Sequence, residues 1–455
     1  MDLFETIIEQ LKNYLWGVPT LILLLGTHIF LTIRLGFIQK FTFKGIKLSI
    51  QKDPDSEGDV SQFGALATSL AATLGTGNII GVSTAVALGG PGAVFWCWIT
   101  GVFGIATKYA EGLLAVKYRK QLPDGSYIGG PMYTLEKGLK SKFLAVIFCI
   151  FTIISSFGIG SMVQANAISS SLTSTFSFSP IIIGIVVSVL VGVVIIGGIK
   201  NIATICEKLI PFMALFFLCG NFIILFLNRQ YLLKALALII TNAFDFRAAS
   251  SGFLGSAIML AAKNGIARGL FSNESGMGSA PIAAASAKTP DSVNQALVSM
   301  TGTFWDTVVL CFITGLVIVS SMLHFPSLYK NAPIDAYTKL AFSNLPFNSS
   351  FFLSISIVVF AFSTILGWCF YGERCIQYLF GEKLVNFYRI TYLVSIFIGS
   401  ITSVQLVFSF ADCANILMAV PNILSLLLLH KVIVSETKQY LPLYKSGTNK
   451  VKKSR

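Results

Sequence analysis

Apolar runs long enough to cross a lipid bilayer recur along almost the whole chain, and short polar segments separate them. A helix needs about 20 apolar residues to span the roughly 30 Å of hydrocarbon in a membrane. Only 12% of the 455 residues are charged, whereas about a quarter of the residues are charged in a soluble domain. The sequence therefore excludes a water-soluble fold and predicts an all-α integral membrane protein.

About eleven transmembrane helices are predicted. Backbone polar groups must be paired inside a membrane, so each apolar run is interpreted as one helix. The predicted spans cover residues 14–35, 62–88, 91–117, 143–172, 180–198, 205–228, 252–270, 295–322, 350–372, 386–403 and 407–430.

Lysine and arginine are distributed unevenly between the two sides that this count defines. The richer side includes Lys117, Arg119, Lys263, Arg268, Lys288 and the basic tail 431–455, while the poorer side has Lys12, Arg229, Lys234, Arg247, Lys330 and Lys339. Short loops rich in these residues stay in the cytoplasm. We therefore expect a multi-pass plasma membrane protein, in a prokaryote the inner membrane, with its N-terminus outside and its C-terminus in the cytoplasm.

The net charge of +13 is explained by this topology. Clustered basic residues beside a membrane are attracted to anionic lipids. The tail is accordingly expected to contact membrane lipid, and no binding of nucleic acid is expected.

The span 62–88 contains the run TLGTGNIIG, which is a poor helix former. A broken helix leaves free N–H groups at the start of its second half and free carbonyls at the end of its first half. The N–H groups near Thr76, Gly77 and Asn78 are candidates to bind a carboxylate, and the carbonyls near Ala71 and Leu74 to bind sodium. The alternative is that the small residues only allow two helices to pack closely.

A second interruption covers the polar stretch 264–281. Broken segments at corresponding positions in two halves are typical of inverted-repeat transporters, which bind substrate near the midplane. The predicted halves are residues 62–228 and 252–430, although no sequence similarity between them is evident.

Residues suited to enzymatic chemistry are sparse. The eight cysteines form no CxxC pair, the three histidines are far apart, and no GxxxxGK[ST] loop occurs. A zinc site, a histidine-based triad and an ATP site are therefore not expected. The chain is predicted to be a transporter and not an enzyme; a membrane channel or a membrane-embedded enzyme is the alternative.

The run GGPGAVFWCWITGVFGIA, residues 89–106, resembles the signature of the alanine or glycine:cation symporter family, within the amino acid-polyamine-organocation superfamily. Cys97 stands where that signature has methionine. Further resemblance lies in LGTGNIIGVSTA from Leu74, IGGPMYTLEKGL from Ile128, RGLFSNESGMGSAP from Arg268 and GWCFYGERC from Gly367.

This resemblance implies a secondary active transporter that imports alanine or glycine by symport with sodium or a proton. It also implies a single transmembrane domain over residues 1–455, built as a five-plus-five inverted repeat with one extra N-terminal helix and its loop at 14–61. The sodium ligands it implies are the carbonyls of Ala71, Leu74 and Phe360 and the hydroxyls of Ser363 and Thr364. The two hydroxyls are equally able to bond carbonyls of their own helix.

Gln164 and Trp368 are implied by the same resemblance to contact the substrate, with Trp368 closing over a small side chain. For Gln164, a plain hydrogen bond between helices is the competing interpretation.

Several charged residues fall within apolar runs. Lys108 and Glu111 are one helical turn apart and are predicted to form a structural pair. Asp306 and Asp412 are either proton relays or hydrated carboxylates, and Glu274 either has a gating role or braces the break beside Arg268. The sequence leaves these alternatives open.

Overall fold

The computed structural model describes residues 3–51, 56–244, 255–334, 336–402 and 405–445. The described chain is almost entirely helical. Its two strands, Lys120–Gln121 and Tyr127–Ile128, pair antiparallel in a short hairpin outside the apolar helices. This confirms the predicted all-α membrane fold.

Within the described residues, eight helices are long and apolar enough to cross a membrane. A ninth span is a pair of helices, Gln62–Thr73 and Thr76–Gly89, bent by 60° at its break. The eight are Thr6–Arg34, Gly92–Lys117, Lys142–Phe176, Gly198–Leu227, Ser292–His324, Ser349–Phe380, Glu382–Ile401 and Ser409–Leu428. We call the bent pair the first broken span.

The two remaining predicted spans also coincide with helices. Pro180–Ile195 is apolar but short. Gly255–Asn273 is more polar, and it is followed after a break by the short helix Ala280–Ala284; we call these two helices the second broken span. Residues 252–254 of the predicted span lie outside the described residues. A total of eleven complete crossings, and the inverted repeat, stay predictions.

The first apolar span begins earlier than predicted, because an amphipathic helix Leu3–Leu15 leads into Val18–Arg34 through a turn at Gly17. The remaining short helices are Ile38–Phe41, Thr42–Ser49, Pro131–Tyr133, Thr134–Gly138, Arg229–Tyr231, Leu232–Ala243, Pro326–Tyr329 and Tyr337–Phe342.

The predicted basic tail 431–455 is helical in its described part, His430–Lys445. Ile433 and Leu441 are buried, Glu436 forms an ion pair of 2.7 Å with Lys117, and Thr437 bonds the Tyr109 hydroxyl at 3.0 Å. Apolar burial holds this helix against the protein. The described tail thus packs on the end of Gly92–Lys117, whereas the prediction emphasised lipid contact.

Glycines let the long helix Ser349–Phe380 approach its neighbours closely. A methyl group on Gly367 would lie 2.7 Å from the backbone nitrogen of Ala72, in the first broken span. The Trp368 side chain covers Gly160, where a methyl group would lie 2.3 Å from its Cβ. Close contact between backbones is the usual role of small residues between helices in lipid, and here it holds the first broken span in place.

Replacing Gly367 with alanine should destabilise the protein, because the added methyl group meets backbone and not a flexible side chain. Overpacking of this kind costs about 1–3 kcal/mol. Thermal unfolding in detergent should show a lower midpoint for Gly367→Ala. The control is Gly26→Ala, also in a helix, where nothing lies within 4 Å of the added methyl group; equal midpoints for the two variants would contradict the prediction.

Candidate functional site

The first broken span loses its helical pairing after Thr73. The last helical bond joins the Leu74 N–H to the Leu70 carbonyl at 2.7 Å, and the Gly75 N–H donates to Asn78 Oδ1 at 3.1 Å. A single 3₁₀ turn, Thr76–Asn78, then leads into the second half. The Ala71 and Leu74 carbonyls consequently have no helical donor.

Ser363 and Thr364 face these free carbonyls from the helix Ser349–Phe380. Ser363 Oγ lies 3.4 Å from the Ala71 oxygen, and Thr364 Oγ1 lies 3.4 Å from the Leu74 oxygen. Both hydroxyls also lie near the Phe360 oxygen, at 2.8 and 3.0 Å. The structure thus brings together all five predicted ligands. The hydrogen bonds from Ser363 and Thr364 to a carbonyl of their own helix, which were the alternative interpretation, are present as well.

This oxygen cluster consists of three carbonyls and two hydroxyls, and both hydroxyl side chains are buried. Unwound carbonyls of this kind coordinate sodium in broken-helix transporters. Gly75 allows the approach, since a methyl group there would lie 2.6 Å from Thr364 Oγ1. Sodium binding at these five residues stays a prediction.

The N–H groups of the same turn are only partly available. Asn78 N–H donates to the Gly75 oxygen at 3.3 Å, so it is used within the turn. Over the described ranges, the Thr76 and Gly77 N–H groups donate to no acceptor. Two of the three predicted carboxylate donors are therefore free.

The side chain of Asn78 faces the protein interior. Its Nδ2 donates to Asp306 Oδ1 at 2.7 Å and to Ser272 Oγ at 3.1 Å, and Ser272 donates to the same carboxylate at 3.0 Å. Asp306 is fully buried. This carboxylate therefore connects the first broken span to the end of the helix Gly255–Asn273, and it is not a hydrated group.

Gln164 and Trp368 lie beside the first break, next to a π-helical segment, Ser156–Met162. Gln164 Oε1 lies 3.3 Å from the Thr76 hydroxyl, and its Nε2 donates to the Ile159 carbonyl at 3.1 Å. Trp368 is fully buried, and its indole nitrogen has no hydrogen-bond partner among the described residues. Local π-helical geometry is frequent at functional sites.

A cavity of about 500 Å³ opens from the first break to the protein surface. Thr76 and Gly77 line it, together with Thr84, Asn166 and Ser354. Its volume lies within the range of about 300–1,000 Å³ that is usual for small-molecule sites. Asn78, Gln164 and Trp368 are not among its lining residues, and neither is the oxygen cluster.

The opposite end of the first broken span is closed. Ser61, which caps its first helix, donates to Glu207 Oε1 at 2.5 Å, and Val60 bonds the Lys288 N–H at 2.8 Å. Asp59 accepts the Tyr127 N–H at 3.0 Å. Burial raises the pKa of the Asp59 carboxyl above its ordinary value, and the Tyr127 N–H opposes this. Hydrogen bonds among the described residues therefore close this end of the first broken span, whereas a cavity opens beside its break.

One topological assignment from the sequence is wrong. Arg268 and Lys288 were placed on the same side, but Arg268 lines the open cavity with Thr84, whereas Lys288 pairs with Val60 at the other end of the first broken span. Lys263 belongs to the same helix as Arg268, Gly255–Asn273. The prediction ended a span at residue 270. In the structure the helix ends at Asn273, and the chain continues into the helix Ala280–Ala284 before it reaches Lys288.

The match to known proteins is extensive. The model of the sodium:alanine symporter family matches residues 1–454. The chain belongs to the sodium:alanine symporter family. This confirms the resemblance found in the sequence.

Two relatives show how far this family similarity extends. The chain is 47% identical to the sodium/alanine symporter AgcS of Methanococcus maripaludis, over 96% of this chain and 97% of AgcS. It is 36% identical to the probable sodium/glutamine symporter GlnT of Bacillus subtilis, over 99% of this chain and 93% of GlnT.

Two solved structures share the fold. MhsT in complex with L-phenylalanine superposes with a TM-score of 0.61 at 14% identity, covering 87% of this chain and 94% of MhsT. A Na⁺-coupled sialic acid symporter superposes with a TM-score of 0.53 at 12% identity, covering 92% of this chain and 84% of that protein. At such low identity the likeness is one of fold.

The second broken span differs from the first, because a buried side chain accepts two of the N–H groups that its break leaves without a helical acceptor. Glu111 Oε1 accepts the N–H groups of Gly276 and Gly278 at 3.1 and 3.0 Å. Within the described chain Lys108 forms no ion pair of 4.0 Å or less, so the predicted Lys108–Glu111 pair is not a contact pair. Sequence reasoning predicted no partner for Glu111 beyond its own helix, and only its position in an apolar run indicated that it needs one.

Glu274 and Asp412 do not line the cavity. Glu274 accepts a hydrogen bond from the Ser279 hydroxyl, across the second break, and forms no ion pair with Arg268. Asp412 is buried, and its Oδ1 has no hydrogen-bond partner among the described residues. Glu274 thus braces the break through Ser279, while Asp412 stays unassigned.

Asn78→Ala should destabilise the protein, since it leaves the Gly75 N–H without an acceptor and removes a donor to the buried Asp306 carboxylate. An unsatisfied buried polar group costs about 1–3 kcal/mol. Thermal unfolding should show a clearly lower midpoint. As a control, Asn264→Ala removes an amide that bonds only the Leu260 carbonyl of its own helix, and a similar loss in this variant would contradict the role given to Asn78.

Proposed function

We propose that this protein imports a small neutral amino acid, alanine or glycine, by symport with sodium. The observation that carries the proposal is the first break, which presents free N–H groups to an open cavity and free carbonyls to a buried oxygen cluster. The N–H ends of broken helices attract anionic groups and the carbonyl ends attract cations. One short turn thus serves both a carboxylate and a cation.

The proposed carboxylate site is the pair of N–H groups on Thr76 and Gly77, at the inner end of the cavity. Gln164 bonds the Thr76 hydroxyl from behind this turn, and Trp368 packs on Gly160. We infer a substrate with a small side chain. The relative's name sodium/alanine symporter adds support, although GlnT, which is named for glutamine, shows that names within the family differ in substrate.

The composition of the oxygen cluster favours sodium over a proton as the coupling ion. Its five oxygens come from carbonyls and hydroxyls, which do not titrate in the physiological range. A proton would need a titratable acceptor, and the cluster contains none. Asp306 already accepts hydrogen bonds from Asn78 and Ser272.

The proposed orientation in the membrane is supported by the basic residues at the closed end. Arg119 donates to the Ala287 carbonyl at 2.8 Å, beside Lys288, so these cations lie at the closed end. Basic residues mark the cytoplasmic side of a membrane protein. We therefore place the open cavity outside the cell, the N-terminus outside, and the C-terminus in the cytoplasm, in a plasma membrane, for a prokaryote the inner one.

Uptake into proteoliposomes tests this proposal against a channel. Labelled alanine should accumulate, saturate with alanine concentration and require an inward sodium gradient. An inward proton gradient without sodium should give no accumulation, and excess unlabelled glycine should compete. Non-saturating flux that depends on neither gradient would support a channel and contradict the proposal.

Gly75→Ala should weaken sodium binding, because its methyl group would displace the Thr364 hydroxyl. Loss of one ligand worth about 1.4 kcal/mol raises the half-saturating sodium concentration about tenfold. The control is Gly26→Ala, which does not line the cavity and where nothing lies within 4 Å of the added methyl group. Sodium titration of alanine uptake measures both.

The double variant Ser363→Ala with Thr364→Val should show the same change more strongly, since it removes both hydroxyl ligands. Unchanged sodium dependence in the Gly75→Ala and double variants would exclude the oxygen cluster as the coupling-ion site.

A further inference from the structure

Glu111 is buried in the helix Gly92–Lys117 and holds the second break with one oxygen. Its Oε1 accepts the Gly276 N–H at 3.1 Å, the Gly278 N–H at 3.0 Å and Asn422 Nδ2 at 2.7 Å. The Asn422 amide also donates to the Gly276 carbonyl at 2.9 Å. A single carboxylate therefore joins three separate segments of the chain.

The Gly276 and Gly278 N–H groups have no helical acceptor because the backbone leaves the helical conformation. Gly276 and Gly278 have φ of 88° and 89°, in the left-handed region, which glycine adopts without steric cost. At membrane depth an unpaired N–H costs several kcal/mol. The Glu111 carboxylate supplies the acceptor that the helix no longer provides.

Lys108 lies one helical turn before Glu111 on the same helix and is also buried. Neither Lys108 Nζ nor Glu111 Oε2 has a hydrogen-bond partner among the described residues. The Glu111 carboxyl group is thus oriented by the backbone N–H groups and Asn422, and it forms no ion pair with Lys108.

We propose that Glu111 is an internal carboxylate ligand of the second break. Its carboxyl group binds the N–H groups there, as the substrate carboxylate is proposed to bind the N–H groups of the first break. As a positioning residue it fixes the second broken span for transport and prevents substrate from binding there. The comparison with substrate rests on the proposed function, whereas the carboxylate site at Gly276 and Gly278 does not. Removal of the side chain should therefore leave a site that accepts a small free carboxylate.

The test is chemical rescue of Glu111→Ala by acetate. Thermal unfolding of the purified variant is measured in sodium acetate, sodium chloride and acetamide, the last being a neutral molecule of the same shape. Acetate should raise the midpoint of Glu111→Ala and leave that of the wild type unchanged, and acetamide should have little effect. The matched control is Glu274→Ala, a buried carboxylate beside the same break that accepts from the Ser279 hydroxyl and from no backbone N–H.

Transport supplies a second readout that a general loss of structure would not reproduce. Glu111→Ala should lower the maximal rate of alanine uptake about tenfold or more, and acetate should restore part of it, while the half-saturating alanine concentration changes less than about threefold. Absence of any acetate effect, or an equal effect in Glu274→Ala, overturns the proposal.

If Glu111→Ala does not fold even in acetate, Glu111→Gln decides the question. Glutamine keeps one acceptor oxygen and loses the charge, so the maximal rate should fall with the half-saturating alanine concentration preserved, and a wild-type rate would overturn the proposal. If the wild type itself transports no alanine, the proposed function fails, but unfolding of Glu111→Ala in acetate still decides the role of Glu111.

Discussion

Pairing of backbone polar groups at membrane depth is the constraint on which the rest of this structure depends. An unpaired N–H or carbonyl in hydrocarbon costs several kcal/mol, yet the chain interrupts two helices inside the protein. The second interruption is paired internally at Gly276 and Gly278, where Glu111 accepts both N–H groups. The first is left incomplete at Thr76 and Gly77, beside a cavity. The cavity beside Thr76 and Gly77 therefore supports the first break as the proposed ligand site.

The incomplete first break is stabilised by contacts that leave its ligand-facing groups free. Asn78 caps the Gly75 N–H with its oxygen and donates its nitrogen to the buried Asp306. Ser272, at the end of the helix Gly255–Asn273, donates to the same carboxylate. The two broken spans are therefore joined by one acidic side chain, Asp306.

The glycine-rich run inside an apolar span was sufficient to predict the first break, because that signal is local. The oxygen cluster with Ser363 and Thr364 was instead implied by the family resemblance, since its members come from two distant helices. Sequence reasoning could not find the partners of Glu111, since Asn422 is 311 residues away. The same limit applies to Asn78, whose backbone was predicted to bind a ligand while its side chain bonds Asp306. Lys108 and Glu111 have the spacing of an ion pair, but the Glu111 carboxyl group instead accepts backbone N–H groups of the second break.

Coupling between the two proposed ligands follows from their separation along the chain. The Leu74 carbonyl faces the oxygen cluster and the Thr76 N–H is free beside the cavity, only two residues apart. A cation bound between Ala71, Leu74 and the helix Ser349–Phe380 would fix the peptide planes that aim the N–H groups at a carboxylate. The carboxylate would fix the same planes for the cation, so each ligand must raise the affinity of the other by the same factor. Symport therefore requires no long-range pathway in this protein, because one turn of backbone belongs to both sites.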